Sequence, residues 1–249
     1  MRRVRRPKPA GRVPSIASVG AVCAILAAGS STRAGTDKTT ADLGGQPVLA
    51  WSLQAALASG AFDRIVVVIR PDRPRGPIEA IVRPRSPSAV ILAGGETRTH
   101  SSWAALAVAQ DADIIAIHDS ARPFAPPSLF ARCVDIARAE GSAVAGLPLA
   151  DTVRRADEAG VAIEEVSREG LWSAQTPQVF RREVFERARI LAGDRSFGDD
   201  AAAVRAAGFP VRMVLGEPRN LKITTMEDLA YARELVSKGL VGMPVLQIR

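Results

Sequence analysis

Short apolar runs alternate with segments of helical spacing along this chain, and that rhythm limits the folds open to it. The apolar runs of strand length are Ala21–Ala27, Ile65–Ile69, Ala89–Ala93, Ile114–Ile117 and Ala143–Leu147. Helical spacing lies between them at Val48–Ala58, at Trp103–Ala109 with its flanks, and at Leu129–Ala139. Strands buried on both faces read as continuous apolar runs, and alternation with helices implies right-handed crossovers. The sequence therefore predicts an α/β fold, with a mostly parallel twisted sheet and helices on both faces.

The alternation of apolar runs with helical segments ends after Leu149. The segment Thr152–Glu169 is rich in charge, has Gly160 at its middle and carries isolated apolar residues among polar ones. This pattern favours a β-hairpin that projects from the sheet as an arm at about residues 150–170, with a plain surface loop as the alternative. Beyond it the pattern predicts helices near Arg182–Leu191, Asp199–Ala207 and Met226–Ser237, and a strand at Val211–Leu215.

Most of the net charge lies in the first twelve residues. Six basic residues there precede any acid and supply all but one unit of the formal net charge of +7, namely Arg2, Arg3, Arg5, Arg6, Lys8 and Arg12. We predict a disordered basic tail over residues 1–16, a single domain over 17–240 and a C-terminal tail over 241–249. A solvated extension is favoured over a nucleic-acid contact, so no nucleic-acid partner is expected.

No apolar stretch reaches the ~20 residues needed to cross a bilayer. A basic start followed by the apolar run at 19–28 also resembles a secretory signal, but that run leads into a small-residue loop and is interpreted as a buried strand. We therefore expect a cytoplasmic protein without a membrane partner. Cys23 and Cys133 lack the spacing of a zinc site or a disulfide framework, and two scattered histidines cannot form a histidine metal cluster.

Ligands in sheets of this type bind at the carboxyl ends of strands, so the loops that follow the apolar runs are the candidate sites. The first run ends in Ala27-Ala28-Gly29, followed by Arg33 and Lys38. Small residues admit a phosphate chain to backbone N–H groups, and the two cations balance its charge. The loop has neither the Gly-Lys-Ser/Thr of a Walker A motif nor the Gly-x-Gly-x-x-Gly dinucleotide turn. A simple strand-to-helix turn is the alternative.

Two further runs end in polar loops. Gly94-Gly95-Glu96 precedes Ser101 and can admit a flat base while offering hydrogen bonds to its edge. His118-Asp119-Ser120-Ala121-Arg122 places an aspartate where it can hold Mg²⁺ beside a triphosphate, with Arg122 available for a second anion. The alternatives are a capped turn for the first loop and a salt-bridged Asp–Arg pair for the second. Later in the chain, Arg168, Thr176 and Lys222 are polar residues among apolar neighbours, for which a solvated surface is the alternative.

Taken together, these motifs resemble the 2-C-methyl-D-erythritol 4-phosphate cytidylyltransferase family over about residues 19–235. The motifs that carry the resemblance are Ala27-Ala28-Gly29 with Arg33, Gly94-Gly95-Glu96 with Arg98 and Ser101, His118 to Pro123, Arg168 to Gln178, and Asn220 to Thr224. The blocks beginning at His118 and Arg168 are specific, whereas the first loop is shared by many nucleotidyltransferases. The resemblance implies a Rossmann-like nucleotidyltransferase fold and a cytidylyl transfer from CTP to the polyol phosphate.

The resemblance also implies a role for each matching residue. Arg33, Lys38 and Lys222 would be catalytic. Ala27, Ala28, Gly29, Gly95, Glu96 and Ser101 would bind the nucleotide. Asp119, Arg122, Thr152, Arg168 and Thr176 would border the methylerythritol phosphate, and Asp119 would also bind Mg²⁺. It further implies a homodimer in which the arm embraces a second subunit.

Three positions depart from the family pattern. Ser31 stands where a glycine is usual, Asp37 where a proline is usual, and Glu96 where an aspartate is usual. These departures keep open a nucleotide-binding homologue with reduced turnover. A cytidylyltransferase for another polyol phosphate such as ribitol 5-phosphate is a second alternative, because the same loops would serve both acceptors. A dinucleotide-dependent dehydrogenase is disfavoured because the glycine fingerprint is missing.

Overall fold

The computed structural model describes residues 19–29 and 38–246, and its centre is a seven-stranded sheet. The strands are β1 Val19–Ala27, β2 Asp42–Leu43, β3 Gln46–Pro47, β4 Arg64–Ile69, β5 Val90–Ala93, β6 Ala112–Asp119, β7 Ser142–Pro148, β8 Val153–Ala156, β9 Ala162–Val166, β10 Trp172–Arg181 and β11 Met213–Leu215. The helices are α1 Val48–Ala58, α2 Arg75–Val82, α3 Arg98–Ala107, α4 Pro127–Glu140, α5 Arg182–Ala192, α6 Asp200–Ala206 and α7 Met226–Ser237.

The sheet has the strand order β11-β7-β10-β6-β1-β4-β5 and is parallel except at one strand. β1 pairs in parallel with β4 and with β6, β4 pairs in parallel with β5, and β11 pairs in parallel with β7. β10 alone runs antiparallel, between β6 and β7. The predicted mostly parallel α/β sheet is confirmed.

Helices cover both faces of the sheet, because successive side chains of a strand point to opposite faces. In β1, Cys23 and Ile25 join a core cluster with α1, α2 and α4, whereas Val22 and Ala24 join a cluster with α3, α5 and α6. A third, smaller cluster packs α7 against the short β2–β3 hairpin and the start of α1. Burial on both faces explains why the central strands are continuous apolar runs in the sequence.

The antiparallel strand β10 was not predicted from the sequence. Its pairing with β7 shifts register between Ala174 and Gln178, so the polar segment between them forms an irregularity within the sheet. A proline in a polar stretch argues against a central strand, and the shifted register accommodates Pro177 here. This irregularity carries Thr176 to the end of β6.

The predicted arm is confirmed as a two-stranded antiparallel hairpin of β8 and β9. It leaves the sheet where the backbone N–H of Leu149 donates to the carbonyl of Leu171 at 3.0 Å. Its apolar residues Val161 and Ile163 are exposed. An isolated two-stranded hairpin is marginally stable in water. Every residue from 151 to 170 is exposed except Val153 and Val166, which are half-buried, so the arm has little support from the rest of its own chain.

The predicted disordered tail, residues 1–16, lies outside the described residues, and the division into one domain with two tails stays a prediction. Within the region assigned to the C-terminal tail, Val241 and Met243 pack against the third core cluster. Across residues 19–29 and 38–246, none of the helices has the length and apolar character needed to span a bilayer.

Candidate active site

A cleft of about 690 Å³ opens at the carboxyl ends of β1, β4, β5 and β6. Its position follows from the sheet, because the parallel strands all end at this edge. The lining residues include Ala28, Gly29, Lys38, Thr39, Arg70, Asp72, Gly95, Glu96, Thr97, Arg98, Ser101, Asp119, Ser120, Lys222 and Thr224. Eight of these are predicted site residues, drawn from four separate loops.

The loop after β5 is shaped by two glycines that pack against the first turn of α3. A Cβ added at Gly94 would lie 2.4 Å from Ser101 Oγ, and one added at Gly95 would lie 2.3 Å from His100 Cβ. The helix begins at an N-cap, Thr97, whose side chain accepts from the backbone N–H of His100. Only glycine lets the loop approach α3 this closely. No side chain at these two positions therefore fills the cleft where α3 begins.

Ser101 braces this glycine loop. Its hydroxyl donates to the carbonyl of Thr97 at 3.0 Å and accepts from the backbone N–H of Gly95 at 3.3 Å. The residue is buried although it lines the cleft. Ser101 therefore fixes the position of Gly95, whereas the exposed carboxylate of Glu96 extends at the cleft wall.

Asp119, the last residue of β6, is the charged centre of the cleft wall. Its Oδ2 accepts from Lys222 Nζ at 2.7 Å, and its Oδ1 accepts from Arg98 Nε at 3.1 Å. Burial alone would raise the pKa of Asp119, but the nearby charges of Arg98, Lys222 and Arg122 outweigh it and hold that pKa well below its ordinary value. The carboxyl group is thus ionised at neutral pH.

Arg98 continues the charge pairing into the core. Its Nη1 donates to Oδ2 of Asp200 at 2.6 Å while its Nε contacts Asp119. Burial opposes the charged form of Arg98, yet Asp200 and Asp119 reverse that effect and raise its pKa. One guanidinium therefore bridges a carboxylate in the cleft wall and a carboxylate behind it.

Lys222 is held at the cleft by its neighbours in the loop after β11. The backbone N–H of Ile223 donates to the carbonyl of Ala121 at 2.8 Å, and its side chain is buried in the third cluster. Two residues before Lys222, the fully buried Asn220 donates to Gln175 Oε1 at 3.1 Å and to the carbonyl of Thr176 at 2.8 Å. Both anchors fix the backbone, so the flexible lysine side chain begins from a defined position.

The hydrogen bonds of His118 fix the role of the Thr176 hydroxyl. Burial lowers the pKa of His118 to about 4, so the ring is neutral at pH 7 and carries one N–H. Nε2 lies 3.2 Å from the carbonyl of Arg122, which can only accept, so Nε2 carries that hydrogen. Nδ1 then accepts from Thr176 Oγ1 at 3.0 Å, and the same oxygen accepts from the backbone N–H of Asp119 at 3.0 Å. The Thr176 hydroxyl thus has no hydrogen left to donate to a substrate phosphate.

A second cavity of about 280 Å³ adjoins the cleft and shares Arg98, Asp119 and Lys222 with it. Its other lining residues are Arg122, Ala174, Gln175, Thr176, Gln178, Gly198 and Asp199. Arg122 Nη1 donates to the carbonyl of Asn220 at 2.7 Å, which directs the guanidinium along this wall. The predicted residues Arg122 and Thr176 therefore lie beside Asp119, on its side away from the glycine loop.

The first loop is described only in part. Ala28, Gly29 and Lys38 line the cleft, and Lys38 Nζ donates to the carbonyl of Thr224 across it. Ala27 lies one residue deeper, with its side chain 1% exposed in the core, so it does not form the wall. Arg33, with the departures Ser31 and Asp37, lies outside the described residues.

Two predicted residues stay away from the cleft of their own chain. Thr152 and Arg168 are both exposed at the base of the arm, and Arg168 donates to the carbonyl of Ala150. Neither lines either cavity. A role for them at a substrate would require an arm from another copy of the chain.

Sequence reasoning missed two residues of the charged network. Arg98 was part of a quoted motif but received no role, and Asp200 was not considered. The position of Arg98, on the first turn of a helix that follows the glycine pair, could have indicated a role at the cleft. Asp200 offered no such hint, because its partner Arg98 lies 102 positions away in the sequence.

The described residues at the cleft do not form a metal cage. Within the described ranges, no three His, Cys, Asp or Glu side chains are grouped as metal ligands. Asp119 is an ionised carboxylate in the wall, and Mg²⁺ is commonly held by one or two carboxylates together with substrate phosphates and water. A single ionised carboxylate in the wall fits a magnesium ion that arrives with a nucleotide and is held mainly by its phosphates.

A mostly parallel sheet whose carboxyl edge carries a glycine-lined cleft, two lysines and one ionised aspartate defines an α/β nucleotidyltransferase. The sequence model of one family, IspD, described as 2-C-methyl-D-erythritol 4-phosphate cytidylyltransferase, matches residues 21–238. The chain belongs to this family.

Curated relatives and solved structures agree with this assignment. The chain is 41% identical to the 2-C-methyl-D-erythritol 4-phosphate cytidylyltransferase of Rhodococcus jostii, over 88% of this chain and 96% of that protein. It is 42% identical to the bifunctional enzyme IspD/IspF of Anaeromyxobacter sp., but spans only 57% of that relative's length. The crystal structure of the Thermus thermophilus cytidylyltransferase superimposes with a TM-score of 0.72 at 32% identity, covering 88% of this chain and 99% of that one.

Proposed function

We propose that this chain transfers the cytidylyl group of CTP to 2-C-methyl-D-erythritol 4-phosphate, giving 4-diphosphocytidyl-2-C-methyl-D-erythritol and pyrophosphate. Membership of the family supports the reaction class. The observation that carries the proposal is the ion pair between Lys222 and Asp119, which joins the nucleotide cleft to the adjoining cavity. A cation at that junction lies where an acceptor phosphate would meet the α-phosphate of a nucleotide.

The transfer is an in-line displacement at phosphorus. An oxygen of the acceptor's phosphate forms a bond to the α-phosphorus of CTP, and the bond from that phosphorus to the bridging oxygen breaks, so pyrophosphate leaves with the electron pair. The acceptor phosphate is ionised at neutral pH, so no general base is needed. Catalysis then depends on placement and on neutralisation of charge.

The residues divide this work by position. Gly95, Glu96 and Ser101 would form the base and ribose end, with Ala28 and Gly29 along the phosphates. Arg33, Lys38 and Lys222 would neutralise the triphosphate and the charge that develops on the leaving group. In the second cavity, Arg122 would bind the acceptor, and Thr176 would set the end of β6 rather than donate to phosphate.

Asp119 would be the protein ligand of Mg²⁺. The ion would supply charge neutralisation on the phosphate oxygens. On the protein side, the pairs with Arg98 and Lys222 keep the Asp119 carboxylate ionised and oriented.

We also propose a homodimer formed through the arm. Val161 and Ile163 are exposed on a hairpin with little support of its own, which suits a surface that packs on a second copy. Such an arm could carry Thr152 and Arg168 to the acceptor cavity of its partner. The cytoplasmic location expected from the sequence stays a prediction.

The test is pyrophosphate release by the purified chain with CTP and Mg²⁺. The acceptors are 2-C-methyl-D-erythritol 4-phosphate and ribitol 5-phosphate, and ATP, GTP and UTP replace CTP as controls. We expect turnover with CTP and the methylerythritol phosphate to exceed every other combination by at least about 100-fold, because a site built to hydrogen-bond its substrate rejects analogues that cannot pair with it by at least that factor. Faster turnover with ribitol 5-phosphate would identify that compound as the acceptor instead. CTP binding without pyrophosphate release would indicate a homologue with reduced turnover.

A further inference from the structure

The cleft wall contains four ionisable side chains, alternately basic and acidic, that lead from the surface into the core. Burial raises the pKa of the innermost one, Asp200, while the charge of Arg98 opposes that effect. Lys222 pairs with Asp119 at 2.7 Å, Asp119 with Arg98 at 3.1 Å, and Arg98 with Asp200 at 2.6 Å. The first three line the cleft, whereas Asp200 lines neither cavity and its side chain is 1% exposed. Asp200 therefore does not line the substrate cavities, and its hydrogen-bonded link to the cleft wall runs through Arg98.

Stability explains only part of the placement of Asp200, which lies in the first turn of α6, where the helix N-terminus favours an acidic side chain. Its Oδ1 is buried and accepts no hydrogen bond of ordinary geometry within the described part of the chain, although the Ser102 hydroxyl lies close enough to lower the pKa of Asp200. A buried carboxylate with an unsatisfied oxygen costs free energy, and buried ion pairs can often be replaced by apolar groups with little loss of stability. A polar group retained at this cost calls for a reason beyond packing.

The geometry of Arg98 supplies that reason. Its Nη1 is held by Asp200 behind the wall, so only its Nε faces Asp119 Oδ1. Without the inner carboxylate, the terminal nitrogens of the guanidinium would be free to turn toward Asp119. A bidentate arginine would then compete with Lys222 for the same carboxylate, since such pairs are stronger than a single contact.

We propose that Asp200 is a positioning residue for the transfer reaction, which holds Arg98 so that Asp119 keeps its outer oxygen for Lys222. The inference rests on the proposed function, because its main readout is turnover. It adds a residue from outside the cleft to the machinery. A displacement of the reacting groups by about 1 Å is enough to lower a rate by about 100-fold.

The test is a double-mutant cycle on kcat with Asp200→Asn and Arg98→Lys. We expect Asp200→Asn to lower kcat about 10- to 100-fold while the KM for CTP changes by less than about twofold, because the lost interaction acts on the transition state. A lysine lacks the separate Nε and Nη1 donors with which Arg98 contacts Asp119 and Asp200, so it cannot hold both carboxylates in this geometry. Asp200→Asn should therefore add less than about twofold to the loss already caused by Arg98→Lys. Effects that multiply in the double variant would show that Asp200 acts independently of Arg98 and would overturn the proposal.

A matched control separates positioning from folding. Asp111→Asn removes the carboxylate that pairs with Arg64 at 2.5 Å, far from the cleft at the other end of the sheet, and should leave kcat unchanged. Thermal unfolding and circular dichroism of each variant establish that it is folded. If Asp200→Asn does not fold, Asp200→Glu keeps the charge but moves it, and normal turnover by that variant would contradict the proposal.

A crystal structure of the Asp200→Asn variant distinguishes failure of this inference from failure of the proposed function. We expect the distance from Lys222 Nζ to Asp119 Oδ2 to exceed the ~3.2 Å limit of a hydrogen bond, with Arg98 turned toward Asp119. If the wild-type chain releases no pyrophosphate with any acceptor, the proposed function fails, but this distance still decides the positioning role. An unchanged Lys222–Asp119 contact would overturn it whatever the activity.

Discussion

The cleft wall and the arm both contain Arg or Lys side chains paired with carboxylates, but in different surroundings. In the wall, Asp119 is buried and pairs on both oxygens. On the arm, Arg154–Glu165 and Arg155–Glu164 are cross-strand pairs with every side chain more than half exposed. Coulomb attraction is several-fold stronger where water is excluded, and exposed pairs contribute about 0–1 kcal/mol. Ion pairs of the same chemistry therefore serve function in the cleft wall, where they are shielded from water. On the arm, where they are exposed, they mainly serve solubility.

The largest effect should come from Asp119. Asp119→Asn leaves Arg98 and Lys222 facing each other without the charge that separates them. We expect kcat for pyrophosphate release to fall by about 1,000-fold, the upper range for loss of one electrostatic group. Circular dichroism should show a folded chain, and Glu164→Gln on the arm serves as the control with unchanged kcat. A loss below tenfold would remove Asp119 from the centre of the site.

A smaller effect is expected from the glycine loop of the cleft. A Cβ at Gly94 meets Ser101 Oγ at 2.4 Å and Val68 Cγ1 at 3.0 Å, so Gly94→Ala should destabilise the chain by about 1–3 kcal/mol and weaken CTP binding. Gly76 in α2 has no neighbour within 4 Å of an added Cβ, and Gly76→Ala should be neutral or stabilising by up to about 1 kcal/mol. Thermal unfolding and CTP titration of both variants check this contrast, and equal behaviour would contradict it.

On the arm, the expected effect is on assembly. Ile163 is 61% exposed, and burying it in a dimer would contribute about 1.5–3 kcal/mol. Ile163→Ser should therefore weaken dimerisation at least about tenfold in sedimentation equilibrium. Ile190 on α5 is 57% exposed and provides the control, since Ile190→Ser should leave the dimer unchanged. A monomeric wild type, or equal effects of both substitutions, would show that the arm is not the interface.

The smallest effect should come from the ion pairs of the arm. Arg155→Ala removes an exposed pair with Glu164 at 2.9 Å, and we expect the free energy of unfolding to fall by less than about 1 kcal/mol. Urea unfolding at low and at high salt measures this difference. A larger loss would mean that these ion pairs are buried in an assembly. The ion pairs of the arm would then be shielded from water, as those of the cleft wall are.

The parts of the fold that the sequence predicts are those with a simple period. The central strands and the helix Val48–Ala58 were predicted because buried strands are continuously apolar and the helix has apolar spacing. Helix α2 was missed, since Gly76 and Pro77 in its first turn read as turn signals, although a proline is tolerated there. Strand β10 was missed because Pro177 and its polar neighbours interrupt the apolar pattern typical of a central strand. The strand tolerates them only because its pairing with β7 contains an irregularity.

The candidate site was predictable where one loop carries several polar residues. Asp119, Gly95 and Lys222 each follow an apolar run, and they meet because parallel strands end at one edge. The pairing of Arg98 with Asp200 was not predictable, since it depends on where α6 packs. The sequence also could not predict that the Thr176 hydroxyl has no hydrogen left to donate. That result depends on which ring nitrogen of the buried His118 carries the hydrogen.

The most direct test of this account is the rate of pyrophosphate release from CTP and 2-C-methyl-D-erythritol 4-phosphate by the wild type and by Lys222→Ala. The lysine is attached to a fixed backbone, its side chain is partly exposed, and Asp119 keeps its pair with Arg98. Its removal should therefore leave the chain folded and lower the thermal midpoint by no more than about 5 °C. We predict that kcat falls by at least about 100-fold, as expected for a group that acts on charge in the transition state. Turnover by Lys222→Ala within a few-fold of the wild type would contradict the placement of the reaction in this cleft.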